Sequence, residues 1–369
     1  MLNLLQPGHG PVDGDHYLTA DPKLIHWGHL PNATAEPVLT VASGDTVTLD
    51  TISHEGILAD QGRDPGAFFG AAGIPAAGLL HDTVELAASA REHDSAVHGP
   101  HVVTGPVAIR GARPGDVLEV EVLRLRRRAP YGVISNRHGK GALPGEYPQI
   151  PAGWPAGAPV PAVSLVATVG PDGLGRLPVG DGRHLSFPLR PFLGIMGVAP
   201  ATKAVVHSVP PGPHGGNLDV RHLGTGARLC LPVQVPGALF YAGDPHFSQG
   251  DGEVALTAFE APLRATLRLT LHTDPATRAL AARLRAPFAE TETEHLVLGL
   301  DPDLDEAMRH AVRDALTLLA DRYRIPGHVA LAYLSAAADF HVSQVVDGVK
   351  GIHGRLPKAH LASLDTPAR

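Results

Sequence analysis

The chain has 369 residues, of which 44% are hydrophobic and 18% charged, a composition typical of globular proteins. Its formal net charge of −7 excludes the strongly basic surface of nucleic-acid-binding proteins, so we expect no nucleic-acid partner. No apolar run reaches the roughly 18 residues that a membrane-spanning helix requires, so we expect no membrane partner. Residues 1–12 lack the pattern of a secretory signal, which favours a cytoplasmic protein.

The first predicted elements are β-strands, because 42 glycines and 35 prolines favour many short strands separated by turns. Two Gly-Asp turns, at residues 44–45 and 115–116, each lead into alternating apolar and polar residues, which indicates a half-buried strand. Further strands are predicted at residues 163–170, 184–189, 203–209, 228–235, 254–259, 265–272 and 340–349. The chain is therefore predicted to be mainly β.

Helical and loop segments interrupt this pattern. Residues 60–91 have apolar side chains near helical spacing and are interpreted as a helical insertion. Residues 137–161 are rich in glycine and proline and predict a long loop that covers another part of the molecule. Residues 304–323 predict an amphipathic helix, and residues 329–338 predict a second helix.

These elements predict a jelly-roll-like β-sandwich of two packed sheets with a smaller C-terminal α+β portion. The sandwich would contain the catalytic region in residues 1–290, and residues 291–369 would pack on it. Edge strands of such a sandwich are often paired between subunits, so we expect a homo-oligomer, a dimer or larger.

The densest group of acidic side chains spans residues 243–253, between two runs that are interpreted as buried strands. Asp244 and His246 are two residues apart and can share one face, and Asp251 and Glu253 repeat this spacing. A carboxylate pair with a histidine suits Zn²⁺, whereas a purely oxygen ligand set suits Ca²⁺. The same spacing also fits a plain acidic hairpin tip.

His101 and Thr104 lie in a histidine-containing segment, residues 98–106. The two histidines of this segment flank a Gly-Pro turn and can lean in one direction, and Thr104 offers a hydroxyl to a ligand. The alternative is a plain loop with solvated histidines.

A glycine pair, Gly215 and Gly216, is followed closely by Asn217 and Asp219. Glycines let the backbone pass close to a ligand because they lack a Cβ atom, and their amides can face an oxyanion. In a strand, Asn217 and Asp219 would point to one face and place an amide beside a carboxylate. A Gly-Gly turn in which the Asn side chain bonds its own backbone is the alternative.

Covalent catalysis has weak support in this sequence. Cys230, the only cysteine, lies in a strand-like apolar run and is interpreted as a buried thiol, which also excludes an internal disulfide. Ser248 lacks the flanking glycines of a nucleophile elbow.

With these motifs the sequence resembles the acetamidase/formamidase family over residues 26–357, nearly the whole chain. Two motifs carry most of the resemblance, Gly-Gly-Asn-Leu-Asp at residues 215–219 and Gln-Gly-Asp-Gly-Glu at residues 249–253. Further matching stretches lie at residues 104–107, 111–118, 231–240, 243–246, 332–335, 339–340 and 343–347. Residues 53–65 and 136–139 depart from the family pattern and suggest a substrate that need not be formamide or acetamide.

The resemblance implies a β-sandwich enzyme, usually oligomeric, that hydrolyses a short linear amide such as formamide or acetamide to a carboxylate and ammonia. It also implies a bound divalent metal. The residues that it assigns to the site are Asn217, Asp219, Asp244, His246, Gln249, Asp251 and Glu253.

Metal-assisted amide hydrolysis is the first of two hypotheses. We expect the metal ion, Zn²⁺ rather than Ca²⁺, to be held by Asp219, Asp244, His246 and His101. The general base and acid would be Glu253 or Asp251, and the oxyanion would face the backbone of Gly215 and Gly216. Substrate binding is assigned to Asn217, Gln249 and Thr104. The second hypothesis is a metal-stabilised β-sandwich protein that binds a small molecule without catalysis.

Overall fold

The structure is a computed structural model and describes residues 4–95 and 97–364. Small parts of the predicted catalytic region and of the predicted C-terminal portion lie outside the described residues, namely residues 1–3, 96 and 365–369. Within the described chain, 22 β-strands and six α-helices are present, and most of the strands belong to two large sheets. The prediction of a mainly β fold is confirmed.

Nine strands form the first large sheet. In their order across the sheet they are β1 (His16–Leu18), β5 (Thr46–Asp50), β18 (Leu263–His272), β7 (Val117–Arg127), β15 (Arg228–Pro232), β19 (Phe288–Glu290), β20 (Glu294–Asp301), β22 (Lys350–Pro357) and β21 (Asp339–Gln344). In β7, Leu118, Val120 and Val122 are buried, whereas Glu119 and Glu121 between them are partly exposed. The predicted alternation thus gives this strand one apolar face.

Eleven strands form the second large sheet. Eight follow one another as β11 (Arg183–Phe187), β10 (Gly175–Gly180), β9 (Val163–Val169), β8 (Tyr131–Asn136), β17 (Phe259–Glu260), β16 (Phe240–Ser248), β12 (Phe192–Val198) and β14 (Gly215–Asn217). The others join through β6 (Val102–Ile109), which pairs with β16, β2 (Ile25–Trp27) and β4 (Leu39–Val41). A separate two-stranded sheet contains β3 (His29–Leu30) and β13 (Val206–His207).

The two large sheets share one apolar core. Val120 and Leu267 of the nine-stranded sheet belong to the same cluster of buried side chains as Met196 and Phe240 of the eleven-stranded sheet. Burial of this apolar area is the main favourable contribution to folding. Because β12 and β16 are anchored in this core, the side chains that they direct away from it have fixed positions.

The helices are α1 (Pro65–Ala71), α2 (His81–Ala88), α3 (Pro275–Arg283), α4 (Leu304–Tyr323), α5 (Gly327–Ala337) and α6 (Lys358–Leu361), with short 3-10 turns at Ala59–Gln61, Ala76–Gly78 and Ala362–Leu364. The helices α1 and α2 form the predicted insertion, and α4 has the predicted bounds. Ala315 and Leu318 of α4 pack against Leu356 of β22. Within the ranges that the structure describes, no helix is both long and apolar enough to cross a membrane.

The C-terminal portion continues the nine-stranded sheet, because β20 pairs with β19 across the predicted boundary at residue 290. Two predicted strands are shorter than expected. Only β13 lies within residues 203–209, and only the first residue of β17 lies within residues 254–259. Glu253 and Leu256 have φ angles of 47° and 105°, so the chain turns sharply where an extended strand was predicted.

Candidate active site

A cavity of about 810 Å³ lies beside the eleven-stranded sheet. The loop predicted at residues 137–161 lines part of its wall, so it does cover another part of the molecule. Polar side chains form what we call the floor of the cavity, and they are Asn217, Asp244, Glu253, Glu260 and Asp347.

Strand β16 brings Asp244 and His246 together. The Nε2 atom of His246 lies 3.1 Å from Asp244 Oδ2 and 3.1 Å from Glu260 Oε1. Glu260 belongs to β17 and is the direct partner of His246 across the two strands. Two carboxylates therefore hold one fully buried imidazole between them.

Gly194 of β12 allows these side chains to converge. A Cβ atom at this position would lie 2.5 Å from Asp244 Oδ2, 2.6 Å from Asp219 Oδ1 and 2.7 Å from His246 Cε1. These distances are shorter than real Cβ contacts, so a side chain at this position would have to displace the three groups above β12. Asp219 Oδ1 also lies 3.8 Å from His246 Nδ1.

Two histidines lie near the other carboxylate oxygen of Asp244, Oδ1. His54 Nδ1 lies 3.5 Å and His101 Nε2 lies 3.9 Å from Asp244 Oδ1. The Oγ atom of Ser208 lies 3.1 Å from His101 Nδ1 and fixes the orientation of that ring. A histidine that binds a metal has one ring nitrogen hydrogen-bonded to a partner and the other directed at the ion, and Ser208 supplies such a partner to His101.

Three of these carboxylate residues have left-handed backbone conformations. The φ angles are 49° at Asp219, 51° at Asp244 and 47° at Glu253. We call the following eight buried residues the carboxylate–histidine cluster: His54, His101, Asp219, Asp244, His246, Glu253, Glu260 and Asp347.

Many polar atoms of the carboxylate–histidine cluster are buried without a hydrogen bond. They are both carboxylate oxygens of Asp219, Oδ1 of Asp244, Nδ1 of His246, Nδ1 of His54, Oε2 of Glu260 and Oδ2 of Asp347. Leaving buried polar atoms unpaired is costly, so such a concentration points to a bound group. One ligand atom each from Asp219, His246 and Glu253 lies within 4.8 Å of the others, as is also true of Asp244, His246 and Glu260. The donor set fits a divalent cation.

Burial and mutual repulsion control the pKa values in the cluster. Burial raises the pKa of Asp219 to about 7, and the Asp244 carboxylate adds to this while the His246 imidazole opposes it. Burial and the Asp219 carboxylate likewise raise the pKa of Glu253 well above its usual range. For His246, burial lowers the pKa, but Glu260 and Asp244 outweigh burial and raise it well above its usual range. A cation here would reverse these shifts, because it stabilises carboxylates and neutral imidazoles.

A protein-family model for the Acetamidase/Formamidase family matches this chain over residues 82–208 and 201–353, well over half of its length. The chain belongs to the Acetamidase/Formamidase family. The formamidase of Methylophilus methylotrophus is 28% identical over 191 residues, and the match covers 42% of this chain and 47% of that protein. The acetamidase of Mycolicibacterium smegmatis is 29% identical over 198 residues, with 42% of this chain and 49% of that protein covered. The chain thus spans about half the length of the curated relatives that it matches.

A solved structure of an Acetamidase/Formamidase relative extends the likeness to nearly the whole chain. The crystal structure of an acetamidase from Bacillus halodurans aligns with a TM-score of 0.72 and 25% identity. This alignment covers 95% of the present chain and 100% of that one. The sandwich described above is therefore an architecture that an acetamidase also has.

Two side chains that were expected to bind substrate are engaged elsewhere. The hydroxyl of Thr104 donates a 2.7 Å hydrogen bond to the Asp50 carbonyl and does not line the cavity. The Nε2 atom of Gln249 donates to the carbonyls of Asp219 (3.0 Å) and Ser343 (3.2 Å). Gln249 therefore fixes the backbone beneath the cluster, and substrate contact stays a prediction for both residues.

The expected oxyanion and acid–base roles stay predictions, and the geometry favours Glu253 over Asp251 for the acid–base role. The Gly215 amide already donates a 2.9 Å hydrogen bond to the Gly212 carbonyl, and neither Gly215 nor Gly216 lines the cavity. Asp251 accepts a 2.8 Å hydrogen bond from Arg221 and does not line the cavity either. A pair of residues two apart in sequence shares a face only in extended backbone, and the turn at Glu253 directs the two carboxylates apart. Of this pair, only Glu253 lines the cavity.

Sequence reasoning missed five residues in or beside the site. His54 and Glu55 belong to residues 53–65, a segment that departs from the Acetamidase/Formamidase pattern and so carried a signal. Arg137 Nη1 lies 3.0 Å from Glu55 Oε1 and links the second departing segment to the first. Asp347 lies in a matched stretch without an assigned role, whereas Glu260 follows Phe259 in an ordinary strand pattern and gave no signal.

Proposed function

We propose that this chain hydrolyses the C–N bond of a linear amide to a carboxylate and ammonia, with formamide and acetamide as the simplest candidates. The observation that carries this proposal is the convergence of carboxylate and imidazole groups, many with unpaired polar atoms, at and beneath the floor of one cavity. Membership of the Acetamidase/Formamidase family supports it. The expectation of a homo-oligomer stays a prediction.

We further propose that a divalent metal assists the reaction. Asp219, Asp244 and His246 would hold it, with His101 as a fourth candidate ligand. Ligand atoms of Asp219 and His246, of Asp244 and His246, and of Asp244 and His101 each lie within 4.8 Å of one another. The imidazole nitrogens among these donors favour Zn²⁺ over Ca²⁺, which prefers oxygen. When bound, such an ion supplies Lewis-acid polarisation of the amide carbonyl and activation of water.

The protein residues supply proton transfer and orientation. Glu253 lines the cavity, and in its ionised form it can accept a proton from the attacking water at a carboxylate oxygen. The same group can then donate that proton to the departing amide nitrogen, which leaves as ammonia. Asn217 also lines the cavity, and its buried Oδ1 atom has no hydrogen bond, so it can accept one from the substrate N–H.

Ammonia release by a Glu253→Gln variant tests this proposal. Glutamine keeps the shape of the side chain but cannot carry the proton, so kcat should fall by on the order of a hundredfold or more. Glu292→Gln, at an exposed position, is the matched control and should leave kcat unchanged.

An unchanged rate in Glu253→Gln would remove Glu253 from the mechanism. Full activity of a protein shown to be metal-free would remove the metal from it. If no small amide releases ammonia while the chain retains calcium tightly, the alternative of a non-catalytic binding protein is supported instead.

A further inference from the structure

The cavity above the carboxylate–histidine cluster is much larger than formamide or acetamide. Its volume of about 810 Å³ lies near the upper end of the range of pockets that enclose drug-sized ligands, about 300–1,000 Å³. A molecule with only a few heavy atoms would leave most of this space to water. The volume therefore points to a substrate with a larger acyl group.

The chemistry of the wall above the floor indicates what that group is. Apolar side chains line it from three parts of the chain, and they include Leu58, Pro144, Val160, Pro161, Val345 and Val346. Polar atoms that lack a partner are concentrated at the floor, where the amide would bind. Such a division suits a ligand with a polar head and an apolar body.

Outside the carboxylate–histidine cluster, the charges of the wall do not call for an ionic substrate. Arg137 lines the cavity, but its guanidinium is already paired with Glu55 at 3.0 Å and with Asp60 at 2.6 Å. Burial lowers the pKa of the wall histidines His93 and His207, which keeps their rings uncharged near neutral pH. Lys140 is exposed at the margin, where water screens its charge.

We propose that the preferred substrate is an uncharged primary amide with a bulky apolar acyl group, branched or aromatic. This inference rests on the proposed amide hydrolysis and specifies its substrate class. The Val160 side chain would contact the acyl group, and the floor would hold the carboxamide.

Ammonia release from formamide, acetamide, isobutyramide and phenylacetamide tests this proposal on the intact chain. We expect kcat/KM to increase from acetamide to phenylacetamide by on the order of a hundredfold, because several apolar carbons become buried. Val160→Trp should fill part of the cavity and lower kcat/KM for phenylacetamide at least ~10-fold while acetamide changes little. Val179→Trp, on exposed β10, is the matched control and should alter neither value.

The outcomes separate this inference from the function on which it rests. A kcat/KM that is highest for formamide or acetamide would overturn the proposed substrate class but not the proposal of amide hydrolysis. An equal loss for both amides in Val160→Trp would also overturn it. No ammonia from any of the four amides would overturn amide hydrolysis itself, and this inference with it.

A second, independent observation concerns a histidine group outside the cavity. His222, Asp251 and His353 each offer one ligand atom within 4.8 Å of the others. His353 is fully buried, its Nε2 atom has no hydrogen bond, and the Ser343 hydroxyl contacts its Nδ1 atom at 2.8 Å. The Nε2 atom of His222 is likewise buried and unpaired.

One carboxylate oxygen of Asp251 is available to bind a cation in this group. Arg221 and His341 both contact Oδ2 of Asp251, at 2.8 and 3.1 Å, so Oδ1 is available to a ligand. The His353 arrangement, with one nitrogen fixed by a hydroxyl and the other free, is that of a metal ligand with its orienting partner. We infer that His222, Asp251 and His353 form a second divalent-cation site, in which two imidazoles favour Zn²⁺.

Zinc content tests this site without reference to catalysis. After chelation and reconstitution with zinc alone, we expect His222→Ala and His353→Gln each to bind about one equivalent less zinc than the parent chain. His184→Ala, at an exposed position of β11, is the matched control and should bind as much zinc as the parent. Circular dichroism verifies that each variant is folded. Because His222 is half-buried, we expect His222→Ala to disturb folding less than His353→Gln. Unchanged zinc content in folded His222→Ala would overturn the second site.

Discussion

At the scale of single residues, Gly194 sets the distance between β12 and the carboxylates above it. We expect Gly194→Ala to push Asp244 and Asp219 apart, because the added Cβ atom would lie 2.5–2.6 Å from their oxygens. A displacement of about 1 Å in a catalytic group can cost on the order of a hundredfold in rate, and we expect kcat/KM for amide hydrolysis to fall by that much. Ammonia release and zinc content measure the effect.

Gly250→Ala is the matched control for this substitution, because an added Cβ atom there meets nothing within 4 Å. It should retain activity and metal. Equal activity of the two alanine variants would show that the close approach at Gly194 is not needed for catalysis.

Asp314 of α4 provides a prediction for the pH dependence of stability. Burial raises the pKa of this carboxyl group to about 6, although the backbone amides of Arg285 and Ala286 oppose the shift. Between pH values of about 4 and 6, the folded chain holds a proton that the unfolded chain releases, so the free energy of unfolding falls as pH rises through this window. The Arg285 amide donates a 2.9 Å hydrogen bond to Asp314 Oδ2. The substitution Asp314→Asn keeps an acceptor oxygen for this amide but removes the ionisable group.

We therefore expect Asp314→Asn to be more stable than the parent chain by about 1–2 kcal/mol near pH 8, after allowance for solvent screening. The advantage should vanish near pH 4. Urea unfolding at the two pH values measures it, and Asp339→Asn, at an exposed position, is the control. A constant difference across this range would contradict the raised pKa.

At the scale of elements, the start of α4 depends on one side chain. Asp303 accepts hydrogen bonds from the amides of Asp305 and Glu306, at 2.9 and 3.0 Å, and its charge favours the positive end of the helix. We expect Asp303→Ala to lower the free energy of unfolding by about 1 kcal/mol. Asp303→Asn, which keeps the capping oxygen, should lose much less. Chemical denaturation of both variants decides whether the loss belongs to the cap.

How well elements could be predicted depended on how local their determinants are. The helix α4 had the predicted bounds, because its long amphipathic pattern and the aspartate before it depend only on residues that are close together in the sequence. The predicted strand at 254–259 was mostly a turn, because Glu253 and Leu256 have positive φ angles that an extended strand does not allow. Tertiary contacts of this kind leave no periodic signal in the sequence.

At the scale of the whole molecule, a buried ion network joins distant parts of the chain. Asp50 of β5 accepts hydrogen bonds from the Arg264 guanidinium at 2.6 and 2.9 Å and from Tyr17 at 2.6 Å. Arg128 lies 3.7 Å from the same carboxylate and 2.8 Å from Asp82 of α2. Arg264 also donates to the carbonyl of His9, so the network fixes the N-terminal segment and the helical insertion to the sandwich.

Removal of Asp50 should therefore destabilise the fold globally. We expect Asp50→Ala to lower the free energy of unfolding by about 3–5 kcal/mol, because Arg264 would remain buried with an uncompensated charge and Arg128 would keep only Asp82 as its partner. Asp13→Ala removes a partly exposed partner of Arg126 and should have little effect. Thermal unfolding of the two variants measures the difference, and similar losses would contradict the assigned weight of the buried network.

The candidate site was only partly predictable from the sequence. Asp219, Asp244, His246 and Glu253 were found because motif and spacing mark them, and the structure brings them together. Glu260 was not found, because only the pairing of β16 with β17 places it against His246. Thr104 and Gln249 were assigned to substrate because a sequence shows which groups can form hydrogen bonds, but not which backbone carbonyls they contact in the fold.

The left-handed backbone at Asp219, Asp244 and Glu253 has a consequence for how this protein would respond to selection. Each such conformation in a non-glycine residue costs on the order of 1–3 kcal/mol, and the repulsion of buried carboxylates adds to it. The folded chain therefore keeps its site at the expense of thermal stability. In a laboratory evolution experiment that selects for heat resistance alone, we expect these three carboxylates to be substituted early. The substitution Glu253→Gly should yield a more heat-stable but inactive protein.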